Sequence, residues 1–297
     1  MVHIPDSLRV GVIAWNEDGP DWADSLAALI QHAEELWELT VGEPYEGGHA
    51  AWVAPAERAD GSRCVLKIPY PDDESLHEPD GLLWWNGDGA VRLLERDGGT
   101  RALLLERLVP GTSLLELPDP EEAMEAACAV LRQLWRPAPA SHPFVTTQEC
   151  AAAWAVDIER MYEEHGRSFD VALQRAAVAA FAHLATFEGE AVVLHQDFHR
   201  GNVLKAHRAP WLAIDPKPLV GERAFDARWL LYDLLHSEPR HPLRAADLLA
   251  RLAGDLSLDA ERVRLWSFAR AVENVLWCYE SGEAADDDLA LARALSR

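Results

Sequence analysis

Residues 195–205, HQDFHRGNVLK, form a cluster of polar side chains. It follows the apolar segment AVVLH at 191–195, which predicts a short strand. A second apolar segment, WLAID at 211–215, predicts another strand and ends in the acid Asp215. A short loop between two such strands can bring their terminal carboxylates together, and such a pair is costly without a cation or a proton. The stretch therefore predicts a site for chemistry.

The residue types in this stretch indicate which cation would fit. Mg²⁺ prefers oxygen ligands, accepts few of them from the protein, and keeps phosphate and water for the rest. Asn202 and Asp215 are the candidate ligands, which leaves Asp197 free to act on a substrate hydroxyl. One alternative stays open: His195, Asp197 and His199 alternate along the chain, and imidazole and carboxylate also suit zinc or iron.

The chain before this stretch is rich in predicted strands. Residues 18–39 repeat apolar groups at helical spacing and predict a leading helix. Two hairpins are predicted, one around Asp60-Gly61 and one around Asp97-Gly98-Gly99, with a short helix between them at 73–86. A segment with Pro and Gly near 108–118 reads as a linker.

The chain after the linker is mostly helical. Helices are predicted at about 120–136, 147–165, 168–188, 224–237, 242–254, 259–282 and 285–296. We therefore predict an α+β fold of two lobes, a small antiparallel-sheet lobe at residues 1–107 and a larger, mainly helical lobe at 108–297. A cleft between two lobes is a common place for ligands.

Composition excludes several classes of protein. The 297 residues carry a net charge of −23, with 27 Lys+Arg against 50 Asp+Glu, so a nucleic-acid partner is not expected. An acidic balance suits either solubility alone or a cationic ligand. The four cysteines form no CxxC pair and are expected to be reduced, mostly buried thiols in a cytoplasmic protein. No signal peptide or membrane span is predicted, and we expect a monomer or a homodimer.

The motif HxDxxxxN followed by a strand-borne Asp resembles the catalytic core of the protein-kinase-like fold. The runs LHQDFHRGNVL at 194–204 and WLAIDPKPLVGERAFD at 211–226 are similar to the streptomycin and hydroxyurea kinase branch of the aminoglycoside phosphotransferase family. The resemblance covers residues 20–285 or so. It implies ATP-dependent, Mg²⁺-requiring phosphorylation of a hydroxyl on a small cationic molecule, in the first place streptomycin or a related aminoglycoside, and hence antibiotic resistance.

The resemblance also implies roles for single residues. Asp197 matches the acid that orients the substrate hydroxyl, and Asn202 and Asp215 match the Mg²⁺ ligands. Lys67, on the strand RCVLKIPY, matches the lysine that meets the α- and β-phosphates, with Glu78 as its partner. Phosphoryl transfer needs these parts because catalysis is mainly positioning and charge stabilisation.

The same resemblance implies which segment forms the hinge between the lobes and which acid stabilises the catalytic loop. The run Leu104–Leu108, which includes Glu106 and Leu108, matches the segment whose backbone holds the adenine. Asp226 matches an acid that braces the catalytic loop, a structural role.

Some residues depart from the family pattern. No GxGxxG precedes Lys67, and only the run 46–49, EGGH, could cover phosphates. Pro79 directly follows Glu78 and does not suit the middle of a helix, so Glu74 is kept as a second possible partner of Lys67. Arg200 replaces a proline that is frequent in this loop, and it either contacts phosphate or, as exposed arginines usually do, faces solvent.

The acceptor site is expected in the helical lobe. Glu273, Trp277 and Glu280 stand at i, i+4 and i+7, so one helix face presents two acids and an aromatic ring to a cation. Asp157 and Glu159 on an earlier helix are the other candidates. The competing interpretation places Trp277 in the core and leaves the acids in solvent.

Two other functions stay open. The chain could phosphorylate another natural product or metabolite, which the sequence alone does not separate from an aminoglycoside. It could also be a nucleotide-binding pseudokinase with a regulatory role, although the base, both metal ligands and the lysine are all present.

Overall fold

The computed structural model describes residues 2–166, 168–236 and 242–296. The helices are α1 (Asp6–Val10), α2 (Val12–Trp15), α3 (Gly19–Trp37), α4 (Glu78–Trp85), α5 (Pro120–Leu134), α6 (Thr147–Glu164), α7 (Val171–Leu184), α8 (Ala224–His236), α9 (Pro242–Asp255), α10 (Ala260–Ser281) and α11 (Asp286–Leu295). The strands are β1 (Leu39–Val41), β2 (Ala51–Arg58), β3 (Arg63–Pro69), β4 (Leu93–Arg96), β5 (Leu103–Glu106), β6 (Pro110–Ser113), β7 (Val192–Leu194), β8 (Val203–Ala206), β9 (Trp211–Ala213) and β10 (Leu219–Gly221). Short 3₁₀ turns cover Leu114–Glu116 and Arg200–Asn202.

The chain forms two compact units. The sheet unit comprises Met1–Thr112 and Leu204–Lys217, and the helical unit comprises Ser113–Val203 and Pro218–Arg297. The lobe boundary predicted between residues 107 and 108 lies a few residues before the first junction. The return of residues 204–217 to the sheet unit is a feature that the sequence pattern did not predict.

The sheet unit is built on a five-stranded antiparallel sheet in the order β1-β2-β3-β5-β4. Side chains alternate between the two faces of a strand. Cys64, Leu66 and Ile68 of β3 therefore enter the apolar core shared with α3, where they are almost completely buried. Lys67, between them, points to the opposite face of the sheet.

The leading helix α3 covers this core as its sequence periodicity predicts. Trp22, Leu26, Ile30 and Ala33 share one buried face, and each large apolar side chain buried in this way contributes roughly 1.5–3 kcal/mol. The helix ends at Trp37, and the left-handed backbone of the next residue, Glu38, turns the chain directly into β1.

The strands β8 and β9 belong to the sheet unit although the sequence around them belongs to the helical unit. They form a three-stranded sheet in the order β6-β8-β9. The backbone N–H of Ala213 donates to Gly89 O at 2.9 Å, and the N–H of Val91 donates to Ala213 O at 2.8 Å. These two bonds attach the end of β9 to the segment that precedes β4.

The helical unit packs α6, α7, α8 and α10 around an aromatic core. Phe225 and Trp266 meet edge to face with ring centroids 4.9 Å apart, and Phe181 and Trp154 complete the cluster. The strands β7 and β10 pair antiparallel, with Leu194 opposite Leu219. All three residues of β7 are completely buried, which explains why its sequence is a continuous apolar run.

The predicted helices and strands correspond to the observed ones, with shifted ends. The helix predicted at 73–86 begins only at Glu78, and the one predicted at 224–237 is described as far as His236, since residue 237 lies outside the described residues. The structure adds α1, α2, β1, β6, β8 and β10, which are too short for a periodic signal. All four cysteines are free, and three are buried. Within the described ranges no helix is long and apolar enough to cross a membrane.

Candidate active site

Lys67 stands at the centre of a charged cluster on the sheet unit. Its Nζ donates to both carboxylate oxygens of Glu78, at 2.7 and 2.6 Å, and to Oδ1 of Asp215. Lys67 is 5% exposed and Glu78 is 1% exposed, whereas the side chain of Asp215 is 48% exposed. The cluster thus consists of a buried ion pair, Lys67 with Glu78, and one solvent-accessible carboxylate, that of Asp215.

The position of Glu78 explains why Pro79 is tolerated. Glu78 is the first residue of α4, so Pro79 lies in the first turn, where no intrahelical N–H bond is lost. The second possible partner of Lys67, Glu74, instead forms an ion pair with Lys217 at 2.7 Å. The structure therefore places Glu78 beside Lys67, and Glu74 elsewhere.

Burial and charge act against each other in this cluster. Burial alone lowers the pKa of Lys67, but the carboxylates of Asp215 and Glu78 outweigh it and raise that pKa above its usual value. Burial raises the pKa of Glu78 to about 7, although the Lys67 ammonium acts in the opposite direction. Lys67 therefore remains a cation at neutral pH.

Asp215 follows β9 in a left-handed backbone conformation, with φ of 57°. Such a conformation is costly for a residue other than glycine, and functional sites are where it is usually retained. The same holds for Gln196, with φ of 68°, directly before Asp197. Both candidate catalytic segments therefore carry a strained residue at the point where a strand ends.

The catalytic loop of the helical unit is braced by Asp226, on α8. One oxygen of Asp226 accepts the N–H of His195 and the indole N–H of Trp135, each at 3.0 Å, and the other accepts the N–H of Gln196 at 2.8 Å. Burial raises the pKa of Asp226, while its interactions with His195 and the N–H donors lower it. Asp226 thus holds the backbone directly before Asp197.

Asn202 closes the same loop from the other side. Its amide Nδ2 donates to the backbone oxygen of Asp197 at 3.0 Å. The nitrogen is therefore committed to the loop, which leaves the amide oxygen Oδ1 as the atom that would ligate a metal. This arrangement fits the role expected for Asn202.

The sequence suggested that Arg200 either contacts phosphate or faces solvent, and its position in the structure fits neither interpretation. It is 6% exposed, and its Nε donates to Oδ2 of Asp233 at 2.6 Å. Its backbone N–H donates to the same oxygen at 3.1 Å. A buried arginine is almost always paired, and here the partner on α8 was not evident from sequence. Arg200 is thus a structural link between the loop and α8.

The geometry does not support a zinc site at His195, Asp197 and His199. His195 is completely buried and packs edge to face on Phe198, with ring centroids 5.5 Å apart. Nδ1 of His199 accepts the N–H of Gly201 at 3.1 Å. Across residues 2–166, 168–236 and 242–296, no group of three His, Cys, Asp or Glu side chains is arranged to hold a metal ion.

The predicted hinge lies at the end of β5. The side chain of Glu106 is occupied by Arg208, which donates to both of its oxygens, at 2.9 and 2.8 Å. Only the backbone of this run remains as a candidate adenine contact, which is the role that the family resemblance gives it. Leu108 follows in an irregular, half-buried segment.

The run 46–49 is held by the N-terminal segment. The N–H of Gly47 donates to Oγ of Ser7 at 3.2 Å, and the N–H of Val12 donates to His49 O at 3.0 Å. A Cβ at Gly11 would lie 2.6 Å from that same carbonyl oxygen, so only glycine permits the approach. The helices α1 and α2 are too short to show a periodic signal, so their contact with this run was not predicted.

The three residues predicted on the acceptor helix α10 have different environments. Trp277 is 42% exposed, so it is not a core residue, and Glu280 is also exposed. Glu273 forms an ion pair with Arg270 at 3.0 Å and is largely covered. The face that remains available to a cation is therefore Trp277 with Glu280.

The two acidic sets predicted on α6 and α10 are neighbours. Arg160 of α6 pairs with Asp157 at 3.4 Å and with Glu164 at 2.7 Å, and the charge of Glu280 also raises the pKa of Arg160. Two carboxylates thus contact one guanidinium, and a third lies near enough to act on its charge. Glu159, by contrast, is exposed.

A cavity of about 60 Å³ lies among α8, α10 and α11. Arg228 and Arg270 line it, with Ser267, Asn274 and Asp288. Arg228 is buried and stacks between the rings of Phe225 and Trp229, at 4.7 and 4.5 Å, and burial followed by repulsion from Arg270 lowers its pKa well below the usual value. Neither arginine was a candidate from sequence, because an isolated arginine gives no signal of burial.

The predicted site residues therefore fall into groups. Lys67, Glu78 and Asp215 are together on the sheet unit, and Asp197 and Asn202 are together on the helical unit. A sequence model of the aminoglycoside/hydroxyurea antibiotic resistance kinase family matches residues 37–282. The chain belongs to this family. The family assignment confirms the predicted fold class and the predicted class of enzyme, a kinase.

Two relatives are similar over 99% of this chain. The chain is 36% identical over 304 residues to streptomycin 6-kinase of Streptomyces glaucescens, covering 99% of this chain and 97% of that protein. It is 39% identical over 306 residues to hydroxyurea phosphotransferase of Kitasatospora aureofaciens, covering 99% and 86%. Among solved structures, choline kinase of Streptococcus pneumoniae has a TM-score of 0.64 at 12% identity, covering 91% of this chain and 99% of that one. That likeness shows the shared fold.

Proposed function

We propose that the chain transfers the γ-phosphoryl group of ATP to a hydroxyl of streptomycin or a closely related aminoglycoside and so confers resistance. The observation that carries the proposal is the cluster of Lys67, Glu78 and Asp215, which holds one cation between a buried and an accessible carboxylate. Its residues stand in a chain that resembles streptomycin 6-kinase from end to end.

Asp197 accepts the proton of the acceptor hydroxyl or orients that hydroxyl toward the phosphorus atom. Support comes from the place of Asp197 in the loop, because Asp226 fixes the backbone before Asp197 and Asn202 binds the backbone carbonyl oxygen of Asp197. A base that is held in position loses little entropy when the acceptor arrives.

Lys67 contacts the α- and β-phosphates, and Glu78 keeps its ammonium in place for them. The backbone of Glu106 and Leu108 contacts the adenine.

Asp215 on the sheet unit and Asn202 on the helical unit each offer an oxygen that would hold Mg²⁺. The donor set fits, since both atoms are oxygens and Asn202 uses its nitrogen elsewhere. Bound together with ATP, the ion would supply positive charge against the negative charge that develops on the transferred group.

The acceptor binds to the surface formed by Trp277, Glu280 and Asp157, with Glu273 and Glu159 at its margins. The support is the excess of carboxylates around Arg160 and the exposure of the Trp277 ring. A cationic amino or guanidino group is attracted both to carboxylates and to the face of an indole.

The experiment is a panel of acceptors with purified protein, Mg²⁺ and ATP, followed by coupled detection of ADP. The panel contains streptomycin, an aminoglycoside without a guanidino group, hydroxyurea and choline. We expect ADP formation to depend on streptomycin, and mass spectrometry to find one added phosphoryl group. Turnover with hydroxyurea alone would overturn the aminoglycoside assignment, and absence of turnover with every acceptor would overturn the proposed function.

A further inference from the structure

Arg208 attaches the turn between β8 and β9 to the rest of the sheet unit. Its Nε and Nη2 donate to the two oxygens of Glu106, at 2.9 and 2.8 Å. Its Nη1 donates to Gly87 O at 2.5 Å, and Nη2 also donates to Ala90 O at 3.1 Å. One guanidinium thus reaches the end of β5 and two carbonyls between α4 and β4.

This contact is partly shielded from water. The side chain of Arg208 is 24% exposed and that of Glu106 is 20% exposed. Burial raises the pKa of Glu106, but the hydrogen bonds and charge of Arg208 outweigh it, so the pKa is lowered. Charge-assisted bonds in such surroundings are stronger than those of an open surface pair.

A second attachment holds the other end of β9. Ala213 exchanges backbone hydrogen bonds with Gly89 and Val91, at 2.9 and 2.8 Å. Arg208 lies three residues before β9, and Asp215 lies two residues after it. The strand is therefore fixed on both sides before the chain reaches the left-handed residue Asp215.

We propose that Arg208 is a positioning residue for Asp215: with Glu106, it clamps the β8–β9 turn so that the Asp215 carboxylate is held beside Lys67. The inference rests on the proposed role of Asp215 in holding Mg²⁺ with ATP. It gives a role to the Glu106 side chain, which the adenine contact expected at this run does not use.

The geometry requires arginine at this position. The guanidinium makes four bonds to acceptors on two segments, and its planar fork matches the carboxylate of Glu106. A lysine would keep the charge but could not reach the carbonyl of Gly87 and both oxygens of Glu106 in one geometry. Arg208→Lys should therefore retain only part of the function of arginine at this position.

The first measurement is hydrogen exchange of the whole protein without nucleotide or metal, in the wild type, Arg208→Ala and Glu106→Gln. We expect amides in 211–216 to exchange about tenfold faster in Arg208→Ala, with a smaller change in Glu106→Gln, because local opening becomes easier. Amides of β2 and β3 should keep their rates. Unchanged exchange in 211–216 would overturn the proposal.

The matched control is Arg58→Ala. Arg58 pairs with Glu95 at 3.1 Å on the same unit, and neither residue is on β9 or among the groups that Arg208 contacts. Its loss should leave exchange in 211–216 unchanged. Faster exchange there in both variants would show a general loss of stability and would overturn a specific role for Arg208.

The second measurement is kinetic and separates positioning from folding. In Arg208→Ala we expect the Mg²⁺ half-saturation and the KM for ATP to rise about tenfold, about 1.4 kcal/mol, with the acceptor KM unchanged. Arg208→Lys should fall between. A lower kcat with all three constants unchanged would make the clamp purely structural and overturn the proposal. If the wild type turns over no acceptor, the proposed function fails, while the exchange experiment still tests the clamp.

Discussion

The ammonium of Lys67 lies 2.7 and 2.6 Å from the two oxygens of Glu78, so one buried cation satisfies both sides of one buried carboxylate. Asp215 approaches the same ammonium from a more exposed position. Removal of Lys67 would therefore leave one acid that can be hydrated and one that cannot.

Lys67→Met should destabilise the protein in a pH-dependent way. Burial already raises the pKa of Glu78 to about 7, and loss of the ammonium raises it further. The folded state then holds a proton that the unfolded state, with a pKa near about 4.3, releases, so the free energy of unfolding falls as pH rises from 5 to 8. We expect a loss of about 3–5 kcal/mol at pH 8 and a smaller loss at pH 5, measured by urea unfolding. In the double variant Lys67→Met, Glu78→Gln the difference between the two pH values should vanish; an equal loss at both in the single variant would contradict this.

Asp197→Asn should lower kcat by roughly 10²–10⁴, because the carboxylate that takes or orients the hydroxyl proton is gone. The amide keeps the shape of the side chain, so ATP binding measured by calorimetry should hardly change. Turnover equal to the wild type would remove Asp197 from the chemistry.

Asp226→Asn should loosen the catalytic loop without touching substrate. An amide nitrogen would face at least one of the three N–H donors, and a buried donor without an acceptor costs about 1–3 kcal/mol. We expect a lower denaturation midpoint and a lower kcat, with the KM for ATP nearly unchanged. As a control, Trp135→Phe removes one donor only and should cost less on both measures.

Asp215→Ala should abolish turnover, while Asn202→Ala should raise the Mg²⁺ requirement about tenfold, since one carboxylate binds the ion more strongly than one amide. Mg²⁺ titration at saturating ATP measures both. If activity is lost with a zinc-selective chelator while Mg²⁺ is present, a zinc site at His195, Asp197 and His199 would be favoured instead.

Trp277→Ala with Glu280→Gln should raise the KM for a cationic acceptor several-fold and leave the KM for ATP unchanged. Both side chains are exposed on α10, so the change should not destabilise the fold. The acceptor KM should also depend less on salt, because the screened attraction has been removed. Glu159→Gln is the control at the margin of the same surface; an acceptor KM at low salt that does not move in the double variant would exclude this helix.

The sequence predicted the residues whose spacing is tied to strand ends. Asp197 and Asp215 closely follow the apolar runs at 191–194 and 211–214, Asn202 lies in the loop between those runs, and alternation along β3 brings Lys67 to the face opposite the core. Helical periodicity likewise predicted that Glu273, Trp277 and Glu280 share a side of α10. It could not predict that Arg270 covers Glu273, because the pattern gives a common face but not the neighbours of that face.

The partners in two ion pairs that join distant parts of the chain could not be predicted from the sequence. Arg208 and Glu106 are 102 residues apart, and Arg200 and Asp233 are 33 apart, so no periodic signal connects either pair. The expectation that Arg200 meets solvent or phosphate was wrong for this reason. A buried arginine and an exposed one have the same appearance in a single sequence.

The return of residues 204–217 to the sheet unit also bears on how the protein can be divided experimentally. A gene fragment that ends at residue 112 encodes every strand of the five-stranded sheet, yet it lacks the only segment that supplies Arg208 and Asp215. Such a fragment would expose the Glu106 carboxylate and leave Lys67 with Glu78 alone. Two separately expressed halves can therefore complement each other only if residues 204–217 are able to pair with the first half. A circular permutant with its new ends inside 113–203 would test whether 204–217 can do so when it precedes the first half in the chain.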